Sequence, residues 1–198
     1  KIVTRSGSLG NGLLYENKIM KDVKLVLVSC CAPCSAGAIK QLHDGNIADI
    51  SDFIVLFYNP NIYPDAEYQK RLTEQVRYCE ELGVKYHIGT YDHKAWLDEI
   101  RGDENEPERG SRCAKCFRHR FRYAQKFALE NGYNAISSVL GVSKHKDQSQ
   151  VDDCANEVLT EIKYIPIAWS EEIRQKIGHE SNFYRQNYCG CEFSIRKV

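Results

Sequence analysis

Five short apolar runs punctuate the chain, and amphipathic stretches fill most of the space between them. "KLVLVS" (24–29), "DFIVLFYN" (52–59), "VKYHIG" (84–89), "YNAISSVL" (133–140) and "KYIPIAW" (163–169) have the length and β-branched content of buried strands. Helical periodicity occupies the intervals. Over 65–83, Tyr68, Leu72, Val76, Cys79 and Leu82 share one face, and Gly83 supplies a stop. Further helices are predicted over 35–45, 93–102, 149–162 and 170–181, with a long one from about Arg112 to Glu130. Residues 1–20 have little periodicity and read as an N-terminal arm, and 181–198 form a C-terminal tail.

Strands alternating with helices predict an α/β fold. The expectation is one domain over 1–198: a mostly parallel sheet of about five strands with helices on both faces, a cysteine-bearing helix and the tail. Such sheets bind ligands outside the carboxyl ends of their strands. Cys30, Cys31 and Cys34 lie beyond one such end, and Tyr58, Asn59 and Tyr63 beyond the next.

Composition narrows the class without changing it. At 198 residues, 42% hydrophobic and 27% charged, the chain can bury a sizeable core. No apolar run is long enough to span a membrane and no secretory pattern is visible, so a cytoplasmic location without membrane partners is expected. Formal net charge is zero, but unevenly spread. Residues 98–108 are acidic, whereas 109–126 hold seven Lys/Arg and no Asp/Glu. That basic stripe includes Arg112, Lys115, Arg118 and Arg122 and suits phosphate contact. The plainer reading is a solvated helix face.

Cysteine usage changes the picture most. Seven of nine cysteines fall into three clusters: Cys30/Cys31/Cys34, Cys113/Cys116 and Cys189/Cys191. Clustering in a chain without a secretion pattern points to metal or redox chemistry, not to a disulfide framework. "CCAPC" admits a thioredoxin-like redox pair, a zinc site shared with Cys113/Cys116, or an iron–sulfur cluster on the same ligands. Cys113 and Cys116 fall side by side at a helix start, where the dipole favours thiolate. A disulfide between Cys189 and Cys191 closes a very small ring, so the pair reads as a redox-active dithiol. Cys79 and Cys154 read as buried small hydrophobes. The six histidines show no metal-binding spacing, and no phosphate-binding glycine motif or nucleophile elbow occurs.

"SCCAPCS", "LFYNPNIYPDAEY", Tyr91-Asp92 with Trp96, "RCAKCFRHR" and "YRQNYCGC" occur in one order over about 24–193. Together they resemble the QueH-type epoxyqueuosine reductases. The resemblance implies a cobalamin-independent oxidoreductase acting in the last step of queuosine synthesis. Its substrate would be a tRNA with a GUN anticodon carrying epoxyqueuosine, and its electron donor is unspecified. A [4Fe-4S] cluster and an additional iron are implied as cofactors. Carried onto this chain, Cys30, Cys31, Cys113 and Cys116 would hold the cluster, and Cys34 with Asp92 the second iron. Cys189 and Cys191 would cycle as the dithiol, with Asp92 also at the reaction centre. Tyr58, Asn59, Tyr63 and Glu67 would line the substrate, and Arg112, Lys115, Arg118 and Arg122 would meet tRNA. Two rivals remain: a zinc-stapled RNA-binding module without catalysis, and a thioredoxin-like dithiol oxidoreductase.

Overall fold

A computed structural model describes residues 22–47 and 50–195. The expected arm over 1–20 lies outside them. The elements run β1 (Val23–Ser29), α1 (Ala32–His43), β2 (Ile50–Phe57), α2 (Asp65–Leu82), β3 (Tyr86–Ile88), α3 (His93–Glu99), α4 (Ser111–Glu130), β4 (Ala135–Ser138), α5 (Gln148–Val158), β5 (Lys163–Tyr164) and α6 (Glu171–Glu180). The five strands form one sheet in the order β3-β2-β1-β4-β5, and every pair is parallel. This is the doubly wound α/β architecture expected from the pattern.

β1 lies in the middle because both of its faces are apolar: Leu25, Val26, Leu27 and Val28 are fully buried. The crossovers place α1 and α2 together, with α6 joining α1, while α4 and α5 pack against each other, the division over two faces that right-handed connections produce. The strand order reverses between β1 and β4, so a crevice opens at the carboxyl end of β1. "SCC" occupies that end.

Local sequence fixes several boundaries. Pro33 stands in the first turn of α1, where its missing N–H costs nothing, so the helix starts at Ala32 and takes Cys34 into that turn. Gly83 ends α2 in the left-handed conformation, at φ 65°. β5 is shorter than the expected 163–169. The backbone N of Ile165 still donates to Ile136 O at 2.9 Å, but Pro166 has no donor with which to continue the ladder. Gly37 lets α6 approach α1 closely: a Cβ there would lie 2.8 Å from the Arg174 Cα.

Candidate functional site

The first cysteine cluster is a compact sulfur triad at the end of β1. The Sγ atoms of Cys30, Cys31 and Cys34 all lie within 4.8 Å of one another, and all three residues are buried. Cys30 and Cys31 sulfurs are 3.8 Å apart. Hydrogen bonds from Cys31 and Cys34 hold the Cys30 thiol well below its usual range despite burial, aided by Lys146 and Arg120. The same sharing pushes Cys31 up to about 12 and raises Cys34 well above an ordinary thiol. The triad thus favours one thiolate held by two thiol donors. Gln186 Nε2 donates to Cys31 Sγ at 2.8 Å, tying the tail to the triad.

The other two clusters meet each other. Cys113, Cys116, Cys189 and Cys191 line one small cavity with Asn61, Trp96, Arg112, Phe117, Arg120 and Lys146. Burial raises the thiols of Cys113 (to about 11), Cys116 and Cys191 (to about 12). Among the described residues, no group of three potential metal ligands other than the triad lies as close together.

Buried cations surround these sulfurs without carboxylate partners. Arg120, 1% exposed, donates to Asn59 Oδ1 at 2.6 Å and to the carbonyls of Tyr58 and Ser29. Lys146 is also buried, at 8% exposure, and no described carboxylate reaches its ammonium. Burial alone would lower the Lys146 pKa, but the sulfurs of Cys30 and Cys189 outweigh it and raise it. Two donors at the small cavity, Trp96 Nε1 and Arg112 Nε, have no nitrogen or oxygen partner. The Trp96 N–H favours a Cys116 thiolate. Uncompensated cations and orphaned donors around seven thiols suit a buried anionic centre, such as a thiolate-held metal cluster.

A larger cavity of about 700 Å³ opens beside the triad. Its walls come from the loop after β4 (Gly141 to Lys146), from α6 (Glu171, Arg174, Gln175, Gly178, His179) and from the tail (Phe183, Arg185, Gln186). Cys34 is the one triad sulfur residue on that wall. The volume is that of a small-molecule site.

Several residues expected at the site have other roles. Glu67 is buried and pairs with Arg71 at 2.7 Å, while its other oxygen accepts from Tyr184 OH at 2.7 Å. Arg71 donates to Cys189 O at 2.9 Å and lies over the Tyr188 ring. Glu67 therefore anchors the tail. Gly190 has φ 119°, and a Cβ there would approach Arg71 Nη1 to 2.8 Å, so the residue between the two cysteines must be glycine. Asn59 is buried and bridges Ser29 O and Arg120. Tyr58 stacks on Tyr123 at 3.7 Å, and its hydroxyl lies 2.8 Å from His119 Nε2. Tyr63 is 42% exposed, stacks on His93, and its N donates to Gly190 O at 2.8 Å. Asp92 is exposed and caps α3 by accepting from the Ala95 N at 2.9 Å. It is not brought to the triad.

The basic stripe is largely neutralised. Lys115 pairs with Asp103 at 2.8 Å, Arg118 with Glu157 at 2.7 Å and Arg122 with Glu99 at 2.7 Å. Arg112 is buried, donates to the carbonyls of Glu104 and Glu106, and sits over the Phe193 ring. Two histidines are part-buried bridges: His93 links Pro60 O and Glu192, and His119 joins Tyr58 to Glu99.

The reading of the sequence missed Arg120, Lys146 and the large cavity. Arg120 carried a signal, since it falls among Phe117, Phe121 and Ala124 on the apolar face of α4. A charge there has to be compensated in the interior. Lys146 carried none: "VSKHKDQ" reads as an ordinary polar loop.

Residues 25–197 match a family profile described as "Epoxyqueuosine reductase QueH". A protein of that name from Histophilus somni is 40% identical over 87% of this chain and 72% of its own length. Its counterpart in Acinetobacter baylyi is 38% identical over 87% of this chain and 81% of its own. That of Dehalococcoides mccartyi is 32% identical over 86% and 92%. Among solved structures, the U34-tRNA thiolase NcsA from Methanococcus maripaludis, described with its [4Fe-4S] cluster, shares the fold at a TM-score of 0.55. It is 13% identical, over 90% of this chain and 62% of its own.

Proposed function

The chain belongs to the epoxyqueuosine reductase QueH family, and from that premise we propose how its own residues carry the reaction. The enzyme is an oxidoreductase that acts on tRNA, removing the epoxide oxygen of epoxyqueuosine to give queuosine. The observation that carries the residue assignment is the gathering of seven thiols around buried, carboxylate-free cations, beside an open cavity of about 700 Å³. The nucleoside enters that cavity from a tRNA with a GUN anticodon, at the wobble position, in the cytoplasm.

Balance constrains the chemistry. Removing the oxygen as water takes two electrons and two protons. Cys189 and Cys191 together can supply both: two thiols become one disulfide, the two carbon–oxygen bonds break, a carbon–carbon double bond forms and water leaves. A separate reductant returns the dithiol to its starting state. A four-thiolate [4Fe-4S] cluster on Cys30, Cys31, Cys113 and Cys116 would supply single-electron transfer when bound. Arg120 supports this ligand set, because its charge bears on both Cys30 and Cys116. Loading would displace protons from the thiols that burial keeps neutral. Cys34 is left on the wall of the open cavity, where it would be the protein ligand of a second iron; Asp92, committed to α3, is not part of that reading. Tyr63, exposed beside the tail, remains available to the substrate.

Anaerobic purification followed by iron, acid-labile sulfide and zinc analysis tests the cofactor. Iron with sulfide is expected; stoichiometric zinc without sulfide would support the RNA-binding alternative instead. Cys189→Ser should keep the iron and sulfide but abolish multiple turnover of epoxyqueuosine-bearing tRNA. Sustained turnover by that variant would remove the dithiol from the scheme.

A further inference from the structure

One residue belongs to both cavities. Among the described residues, Lys146 alone lines the open cavity and the small thiol-lined one. The residue retains 8% exposure, no hydrogen bond or ion pair to its ammonium is formed by any described residue, and the ammonium nitrogen is not sealed from solvent but reaches it at the cavity wall. An ammonium has three donors and no acceptor. With the rest of the side chain buried and no protein acceptor in reach, those donors are available to an anion or acceptor placed in the cavity. The charges that bear on it most are the sulfurs of Cys30 and Cys189, opposed by the Arg120 guanidinium, and then the sulfur of Cys34. Neighbouring residues of the same loop do not share this placement: Lys144 and His145 line only the open cavity.

We propose that Lys146 is a catalytic residue that receives the epoxide oxygen. The inference rests on the reading of the open cavity as the nucleoside site. With the sugar-like ring in that cavity, the oxygen to be lost points to the wall shared with the thiols, where the ammonium stands. As the first carbon–oxygen bond breaks, negative charge develops on oxygen. Lys146 donates a hydrogen bond to it and neutralises that charge without surrendering its own proton. Both protons of the departing water come from Cys189 and Cys191, together with the electron pair that forms their disulfide. A cation placed where an oxyanion develops is the arrangement that contributes most to such steps.

A purely structural role, balancing the charge of the thiolates, makes different predictions. The test compares the wild-type holoenzyme with Lys146→Met. It measures binding of one tRNA in two forms, bearing epoxyqueuosine or queuosine, together with the single-turnover reduction rate and iron and sulfide content. Wild type should prefer the epoxide form. Lys146→Met should lose that preference and slow by about 10²–10³-fold, with iron and sulfide at wild-type levels. Retained preference with a rate within about threefold of wild type overturns the proposal, since a lost donor costs far more. So does a variant that loses iron and sulfide while its loaded fraction reduces normally. If Lys146→Met does not fold, Lys146→Arg keeps the charge but displaces the donors: charge balance predicts the full rate, the proposal at least about a tenfold loss with iron retained. Failure of the wild type to bind either tRNA would overturn the nucleoside site itself. A preference shown equally by wild type and Lys146→Met would overturn only the role of Lys146.

Discussion

Arg71, in the second turn of α2, donates through Nη1 to the carbonyl of Cys189 at 2.9 Å, 118 residues further along the chain. Glu67 one turn earlier holds the guanidinium, and both side chains are buried. The pair therefore sets where the Cys-Gly-Cys segment lies. Removing one partner of a buried ion pair strands the other charge and costs about 3–5 kcal/mol. Arg71→Met should lower the thermal midpoint and leave Cys189 and Cys191 open to thiol-modifying reagents. Glu67→Gln should do the same more mildly, because Tyr184 can still bond the amide. Equal alkylation rates in wild type and Arg71→Met would show that the tail is placed by something else.

Gly37 is a place where two effects oppose each other. In an exposed helix, Gly→Ala stabilises by about 1 kcal/mol. Here the new methyl would meet the Arg174 backbone at 2.8 Å, and overpacking costs about 1–3 kcal/mol. Gly37→Ala should therefore be destabilising by denaturant titration, and α6 should gain faster amide exchange than β1. A stabilised variant would mean that α6 shifts outward freely.

Much of the fold could be read from the chain because its signals are local. The four-residue core of β1, the face of α2 shared by Tyr68, Leu72 and Cys79, and Gly83 as its terminator are each set by neighbours in sequence. Strand–helix alternation implied a ligand site beyond the carboxyl ends of the strands and placed the first cysteines beyond the end of β1, but the reversal of strand order between β1 and β4 depends on non-local pairing. The site was less legible because its contacts are not local. The carboxylates that quench the stripe, Asp103, Glu157 and Glu99, arrive from the acidic loop, α5 and α3. Lys146 and Arg120 become neighbours of the same sulfurs only through the tertiary fold. Glu67 resembled a cavity carboxylate but meets an arginine one turn away.

Charge neutralisation along α4 has a consequence for tRNA. Arg122 already spends its guanidinium on Glu99, whereas Lys144 is exposed at the open cavity with no described partner for its ammonium. Lys144→Ala should weaken tRNA binding severalfold and reduce the slope of log K against log salt by about 1. Arg122→Ala should stay within about twofold, as exposed pairs contribute little. Titrations at several salt concentrations check both; the opposite ranking would return the phosphate track to α4.

His119 provides an acid-sensitive contact. Burial lowers its pKa below the ordinary 6.5, although Glu99 pulls the other way. Above pH 6.5 the imidazole is neutral in folded and unfolded chains alike and adds no slope. Below it the unfolded chain takes up the proton first, so stability falls with pH until the folded-state pKa is reached. Unfolding free energy followed from about pH 7 down to about pH 5 should decline, and His119→Gln should make the decline shallower. An unchanged slope would assign the acid sensitivity to other groups, with His87, also lowered by burial, the next to replace.

The thiols of the triad and of the small cavity are dealt out over more than 160 residues, from Cys30 to Cys191. During synthesis at about 5–20 residues per second, the triad precedes the Cys-Gly-Cys tail by roughly 8–30 s. Once β2 has been made the central strand can pair with it, but the strap of Gln186, Tyr188 and Cys189 that closes over Cys31 and Arg71 does not yet exist. The order of birth of these segments would thus leave the proposed cluster a doorway: metal and sulfide would reach the triad before that strap closes over it, and a chain that closed without them would have to release the strap to be loaded.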